Sequence, residues 1–455
     1  MAENQPVRVA LATLGCKLNQ AESELIARNF TRAGYEIVPP DGEADVYLLN
    51  TCTVTHIADA KARKWLRASR KRSPQALVVA CGCYAERAAG ELAKATGAIT
   101  AGNETKDSLL QVVSQHLGRQ TPKNHDGCHS APNSGRNRSL VKIQDGCQNF
   151  CSYCIVPFVR RREISLGPEI LLGEINRRVE EGCREVVLTG TRIGAYLSSG
   201  TTLTGLTKRI LAETGISRLR LSSLQPQEIS EELVGLWANP RLCRHFHLAL
   251  QSGCDPVLRR MRRRYTAEDY RRTLDLIRER VPRAAITTDI IVGFPGETEA
   301  EFETSHLFAR ETGFARIHVF PYSPRQGTAA ADMASQVAEA TKNARRRKML
   351  ALARESRGSF CRKFLGEIMD VLWEQPEDGI WSGLTDNYLK VYARSGEDLS
   401  NRIRPVKLIK TYDDGLWGEV TPPPSRGPAP FMESVGIRKC SSLTPAGSRR
   451  QSRPA

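Results

Sequence analysis

Residues 140–154 read LVKIQDGCQNFCSYC. Leu140, Val141 and Ile143 lie in an apolar run of strand length, and Asp145-Gly146 ends it in a loop. That loop carries Cys147-x3-Cys151-x2-Cys154. Further runs of the same kind follow: EVVLTGT (185–191), RLRLSS (218–223), HFHLAL (245–250), AITTDIIVGF (285–294) and RIHVFPYS (316–323). Helical patterns such as PEILLGEINRRVEEG (168–182) and AEDYRRTLDLIRERV (267–281) lie between them. Alternating strands and helices predict an α/β fold with a parallel sheet. Six such units are too few for a closed eight-fold barrel, so residues 139–364 are expected to form a partial (β/α)6 barrel. Its active site is then expected at the carboxyl ends of the strands. Residues 332–364 read as one long basic helix.

Upstream, residues 1–118 also alternate. VRVALATLG (7–15), DVYLLNTC (45–52) and ALVVACGC (76–83) read as strands, and QAESELIARNFTRAG (20–34) as a helix closed by Gly34. TKDSLLQVVSQHLG (105–118) reads as a helix with Thr105 as its cap. Residues 119–138, rich in Pro, Gly, Asn and Ser, read as a linker. Downstream, residues 365–420 are short strand-like runs separated by Gly, Asp and Pro, the pattern of a small β-barrel. Residues 421–455 are Pro-, Ser- and Arg-rich, and disorder is expected there.

The chain has 455 residues, with 66 Lys and Arg against 50 Asp and Glu, a net charge of +16. The tail from 421 holds six basic residues and one acidic, so +11 remains on the rest. An excess of this size points to a polyanionic partner, nucleic acid first. The amino terminus has no signal-peptide pattern and no stretch reaches membrane-spanning length, so a cytoplasmic protein is expected. Thirteen Cys in such a setting speak for metal or catalysis rather than disulfides.

Three thiolates on one short loop can ligate three irons of a 4Fe-4S cluster and leave the fourth open to a small molecule. A zinc knuckle would need a fourth Cys or His nearby, and none follows before Cys183. A second trio is expected in the first domain. Cys16, Cys52 and Cys83 each follow a predicted strand, and a parallel sheet brings such ends to one edge. Cys81 competes with Cys83: strand alternation puts both on one face and does not choose between them. Tyr153, Thr189, Gly190, Gln251, Asp289 and Gly293, in the cysteine loop or near later strand ends, are candidate cofactor contacts. Arg160, Arg161, Arg162, Arg263, Arg264 and Lys407 are candidate RNA contacts. Trp381, Tyr388, Tyr392 and Tyr412 in the small barrel could stack bases.

Several stretches together resemble the radical S-adenosylmethionine tRNA methylthiotransferases: NQAES (19–23), NTCTVT (50–55), GCYAE (82–86), KIQDGCQNFCSYC (142–154), MRRRY (261–265), VGFPGET (292–298) and HVFPYSPRQGT (318–328). The wording is most similar to the threonylcarbamoyladenosine branch. The resemblance implies an auxiliary 4Fe-4S cluster on Cys16, Cys52 and Cys83, a radical 4Fe-4S cluster on Cys147, Cys151 and Cys154, and a C-terminal RNA-binding barrel of the TRAM type. It implies S-adenosylmethionine as cofactor, tRNA as partner, and an electron donor and a sulfur donor that the sequence does not identify. A monomer is expected. One S-adenosylmethionine would methylate sulfur and a second would generate the radical that activates C2 of the modified adenosine, so no side chain is assigned as catalytic. The pattern departs at Gln225, where relatives often carry Glu. Rival expectations are a methylthiotransferase acting on isopentenyladenosine tRNA or a ribosomal protein, and a non-enzymatic metal-bearing RNA-binding protein.

Overall fold

The computed structural model describes residues 6–118 and 138–421. The first part runs β1 (Arg8–Thr13), α1 (Lys17–Arg32), β2 (Glu36–Val38), β3 (Val46–Thr51), α2 (His56–Arg72), β4 (Leu77–Gly82), α3 (Cys83–Thr96), β5 (Ile99–Ala101) and α4 (Leu109–His116). The five strands form one parallel sheet in the order β2-β1-β3-β4-β5. β3 and β4 are apolar along most of their length because helices cover both faces of the sheet. Val9, Val46, Leu48, Val79 and Cys81 pack with Ile26 and Phe30 of α1 and Val113 of α4. Tyr47, Leu49 and Ala80 pack on the other face with Leu66 of α2 and Leu92 of α3. Thr105 does not cap α4: its hydroxyl donates to the Gly102 carbonyl, and a tight turn over Lys106–Ser108 precedes the helix.

The second part continues with β6 (Arg138–Asp145), α5 (Val156–Val159), β7 (Ile164–Ser165), α6 (Pro168–Glu180), β8 (Glu185–Gly190), β9 (Leu197–Ser198), β10 (Thr201–Thr202) and α7 (Leu203–Glu213). It then runs β11 (Arg218–Leu221), β12 (Ser223–Leu224), α8 (Glu231–Gly235), β13 (His245–Leu248), α9 (Asp255–Arg260), α10 (Ala267–Arg280), β14 (Ala285–Val292), α11 (Glu299–Thr312), β15 (Arg316–Pro321) and α12 (Glu339–Arg362). β11 pairs with β8, and β12, one residue further on, pairs with β13. The parallel series β6, β8, β11/β12, β13, β14, β15 therefore follows chain order and curves into a partial barrel. The long basic helix starts at Glu339, seven residues later than its composition implied, because Ala329–Asp332 forms a separate tight turn.

Alternation sorts the strand side chains. Val141, Ile143, Val186 and Leu188 pack outward under the helices in the main core. Leu140 and Val187, in the opposite phase, pack against Ala21 of α1. Helix α1 of the first sheet therefore lies against the inner face of the second, and its small Ala21 allows the close approach.

The third part is a closed five-stranded barrel: β16 (Ile368–Trp373), β17 (Trp381–Thr385), β18 (Lys390–Ala393), β19 (Ile403–Tyr412) and β20 (Gly415–Val420), in the order β16-β17-β18-β20-β19. It is anchored under the amino ends of the parallel strands. Arg218 donates to the carbonyls of Leu384 and Asp370, Arg220 to that of Asp386, and Arg244 pairs with the Asp386 carboxylate at 2.6 Å. Tyr388 stacks on His245, the first residue of β13, at 4.4 Å. Two cavities of about 270 and 580 Å3 lie at this junction, both lined by Arg138, Glu374 and Tyr388 and by none of the six candidate cysteines.

Candidate active site

β6 delivers its chain to the opposite, carboxyl end. Gly146 there has φ +79°, and a side-chain carbon on it would lie 1.9 Å from the Arg162 carbonyl. Only glycine fits a reversal so crowded and left-handed. The Asp145 carboxylate accepts the Gly146 N–H at 2.8 Å, and the loop then places Cys147, Cys151 and Cys154 in succession. It is pinned at Ser152, whose hydroxyl donates to the Arg260 carbonyl at 2.8 Å and whose carbonyl accepts the Ala330 N–H at 2.7 Å. Burial pushes the Cys154 thiol up to about 12, and the neighbouring Cys151 and Cys147 add to that.

Cys16, Cys52 and Cys83 meet at the carboxyl edge of the first sheet, each at the end of a different strand. Cys16 is the residue before α1, Cys52 follows β3, and Cys83 opens α3. Burial pushes the Cys52 thiol up to about 12, with Cys83 and Cys16 raising it further. Asn103 donates to the Cys83 sulfur at 3.7 Å. Cys81 and Cys83 are set apart by Gly82, at φ +93°, where a side-chain carbon would lie 2.5 Å from Asn50 Oδ1. The strand ends at this left-handed residue, so alternation does not extend to Cys83. Cys81 stays in the sheet core, fully buried, among Val79 and Leu109.

The two trios are joined by residues 155–160. Ile155, directly after Cys154, and Val159 on α5 pack against Cys83. Asn103 links the same elements by also donating to the Val159 carbonyl at 2.6 Å. Beside them Arg160 is only 5% exposed. Its guanidinium donates to Glu22 of α1 at 2.8 and 2.9 Å, to Asp145 at 2.7 Å and to Asn19 at 3.0 Å. Lys142 and Lys106 complete this buried network on Glu22. Burial alone would push the Glu22 carboxyl up, but these cations outweigh it and hold the carboxyl well below its usual range.

The expectation that Arg160 meets RNA is therefore corrected: it is an internal tie between the two cysteine regions. The placement of Arg263 also differs from that expectation, because its guanidinium lies inside, donating to Cys151 Sγ at 3.4 Å and to the Tyr265 hydroxyl at 2.9 Å. Arg161, Arg162, Arg264 and Lys407 are exposed.

The other expected contacts lie at or near strand ends. Thr189 is buried in β8, and Gly190 allows the Gln144 carbonyl to come within 2.7 Å of where a side chain would start. Gln251, at φ +66°, is bridged to β14 through the Asp289 carbonyl. Asp289 is held between His247 at 3.2 Å and His318 at 3.3 Å. Tyr153 packs beside Val257, Met261 and Phe294. Gly293 does not offer its open side to a ligand: Lys342 of α12 fills it, 2.4 Å from a would-be side-chain carbon, and the Gly293 N–H goes to Glu297. Gln225, where the family pattern departs, accepts from Asn149 of the cysteine loop at 3.5 Å.

Sequence reasoning passed over Arg325. It is 2% exposed, donates to Thr53 beside Cys52 at 2.8 Å and pairs with Asp59 of α2, yet its Nε and Nη1 have no hydrogen-bond partner among the described residues. Its place in HVFPYSPRQGT was the available signal. Unsatisfied guanidinium nitrogens, the Asn103 amide and the Arg263 donor beside Cys151 together give both trios cationic or N–H-donating surroundings. That donor set fits an anionic thiolate-held cluster. Among the described residues no three His, Cys, Asp or Glu side chains are gathered as ligands of a single ion. A four-iron cluster held by three thiolates places them on three different irons and so asks for a wider set.

Family models match in two places: an uncharacterized family designated UPF0004 over residues 8–102, and the radical S-adenosylmethionine superfamily over residues 141–309. The threonylcarbamoyladenosine tRNA methylthiotransferase of Bacillus subtilis is 35% identical over 90% of this chain and 96% of its own length. That of Thermotoga maritima is 35% identical over 92% and 99%. A tRNA-2-methylthio-N6-dimethylallyladenosine synthase of Endomicrobium trichonymphae is 30% identical over 90% and 99%. Among solved structures, the radical S-adenosylmethionine methyltransferase TsrM of Kitasatospora setae superposes with a TM-score of 0.53 at 16% identity, covering 71% of this chain and 75% of that one, a likeness of fold.

Proposed function

This chain belongs to the radical S-adenosylmethionine tRNA methylthiotransferase family, and from that premise we propose that it transfers a methylthio group to C2 of threonylcarbamoyladenosine beside the tRNA anticodon. The observation that carries this reading is the meeting of two cysteine trios across residues 155–160, with Ile155 and Val159 between Cys154 and Cys83. When bound, two 4Fe-4S clusters and S-adenosylmethionine would supply the radical and the methyl group and hold the sulfur that functionalising an inert aromatic C–H bond requires. Cys147, Cys151 and Cys154 would hold one cluster, and Cys16, Cys52 and Cys83 the other.

The remaining side chains orient and enclose. Arg263 donates to Cys151 and Asn103 to Cys83, which fixes the two sulfurs and offsets thiolate charge. Helix α1 covers inward-facing Leu140 and Val187 and so helps keep water from the barrel interior. Asp145, Glu22 and Arg160 lock the two sheets in register. Thr189, Gly190, Gln251 and Asp289, at or near strand ends, are the proposed cofactor contacts. The enzyme acts on tRNA as a monomer in the cytoplasm, with separate electron and sulfur donors. No helix among the described residues is long and apolar enough to cross a membrane.

The test is nucleoside mass spectrometry of tRNA from a strain lacking the gene. Loss of 2-methylthio-threonylcarbamoyladenosine, restored by the gene, is the expected result. Loss of the dimethylallyl form instead would move the chain to the other branch of its relatives.

A further inference from the structure

Two large apolar side chains stand in water beside the cysteine loop. Phe150, between Cys147 and Cys151, is 49% exposed, and Phe158, on α5, is 41% exposed. Their rings meet edge to face, with centroids 5.9 Å apart and planes at 80°. Phe150 holds φ +45°, a conformation that bulky residues rarely adopt. The α5 turn is two-sided: Val159 is buried on Cys83, whereas Phe158 points out. Anything stacked on this pair therefore sits beside the link between the two trios.

The charge around the pair selects its occupant. Arg161 is exposed and donates through Nε to the Phe158 carbonyl at 3.1 Å, which fixes the guanidinium next to the ring. Arg162 follows, three-quarters exposed, with only a loose ion pair to exposed Glu104 at 3.7 Å. Such a surface pair is worth little and is easily exchanged for another anion. Two arginines suit a phosphate backbone, and two aromatic faces suit unpaired bases. An apolar protein segment would gain nothing from the arginines.

We propose that Phe150 and Phe158 form a stacking platform for an unpaired base of the RNA loop flanking the adenosine to be modified, with Arg161 and Arg162 on the adjoining phosphates. This rests on the proposed tRNA substrate and deepens it. The platform holds the loop by its neighbours, so the target base is free to enter the site.

The test uses the cluster-loaded full chain and an anticodon stem–loop RNA carrying threonylcarbamoyladenosine, with 2-aminopurine substituted in turn at each flanking loop position. Wild-type protein is expected to quench the fluorescence at one flanking position. Phe150→Ala and Phe158→Ala should each lose that quenching and bind about tenfold more weakly or worse. Phe158→Trp should keep both, and Phe158→Leu, apolar but without a π face, should not. Arg161→Ala and Arg162→Ala should each lower the salt slope of binding by about 0.7 and leave the quenching in place. Iron content and RNA-independent 5′-deoxyadenosine formation should stay at wild-type levels in all variants, which shows that the cluster loop is intact. The platform is overturned if both alanine variants bind and quench like wild type, or if Phe158→Leu matches Phe158→Trp. If wild type itself does not bind this RNA, the parent reading falls and takes the platform with it.

Discussion

The two cysteine trios are assembled by opposite routes. Cys147, Cys151 and Cys154 come from one eight-residue loop after a single strand, held by Gly146 and Ser152. Cys16, Cys52 and Cys83 come from the ends of three strands, and only the parallel pairing of β1, β3 and β4 makes them neighbours. A local site survives as long as its turn survives. An assembled site depends on a whole sheet, so its ligands should be more sensitive to distant damage.

The comparison breaks most visibly if the two trios are interchangeable. Replacing Cys147, Cys151 and Cys154 by Ala should abolish 5′-deoxyadenosine formation. Replacing Cys16, Cys52 and Cys83 should keep 5′-deoxyadenosine formation but abolish methylthio transfer. Each set should lower iron from about eight to about four per chain. Iron analysis and chromatography of the nucleoside product read both, and equal loss of cleavage in the two sets would refute the division of labour.

Next in size is the tie between the regions. Arg160→Met leaves Glu22 and Asp145 buried with one cation fewer, and loss of about 3–5 kcal/mol is expected in chemical denaturation. A pH series separates the outer tie from the inner one. Burial pushes the Glu174 carboxyl up, but Arg28 of α1 and Arg177 and Arg178 of its own helix outweigh this and hold it at about 2. Because that is below its unfolded value, its stabilising effect is full above pH 4.5 and lost as pH falls from 4.5 towards 2. Partial exposure limits the effect to about 2 kcal/mol, and Glu174→Gln should flatten the acid limb of stability by that amount. The smallest effect is expected for Cys81→Ala: full iron content, and about 1 kcal/mol lost from a buried sulfur in the sheet core.

The same contrast governs what could be read from the chain alone. The β/α alternation and the closed barrel after residue 365 were legible because apolar period and turn residues are local signals. The (β/α)6 count held because each strand pairs with its predecessor. The separation of Cys83 from Cys81 was not legible from strand alternation, since it depends on Gly82 adopting a left-handed conformation against Asn50 and Thr51; there only the family resemblance pointed to Cys83. Arg160, expected at RNA, lies buried, and Arg263 turns inward to Cys151, because a charge in a sequence carries no information on depth. The seating of α1 against β6 and β8 turns on one small residue, Ala21, whose partners lie more than a hundred positions away.

The small barrel and the cysteines occupy opposite ends of the same strands. β6 alone has eight residues, which at about 3.3 Å each makes the separation roughly 25 Å. An RNA held at Lys407, the contact expected of this barrel from its sequence, could not enter the site head-on from there. It must lie alongside the strands like a splint, and the distance between grip and chemistry then acts as a ruler along the nucleic acid. Only a base at the right number of nucleotides from the held helix would reach the sulfur.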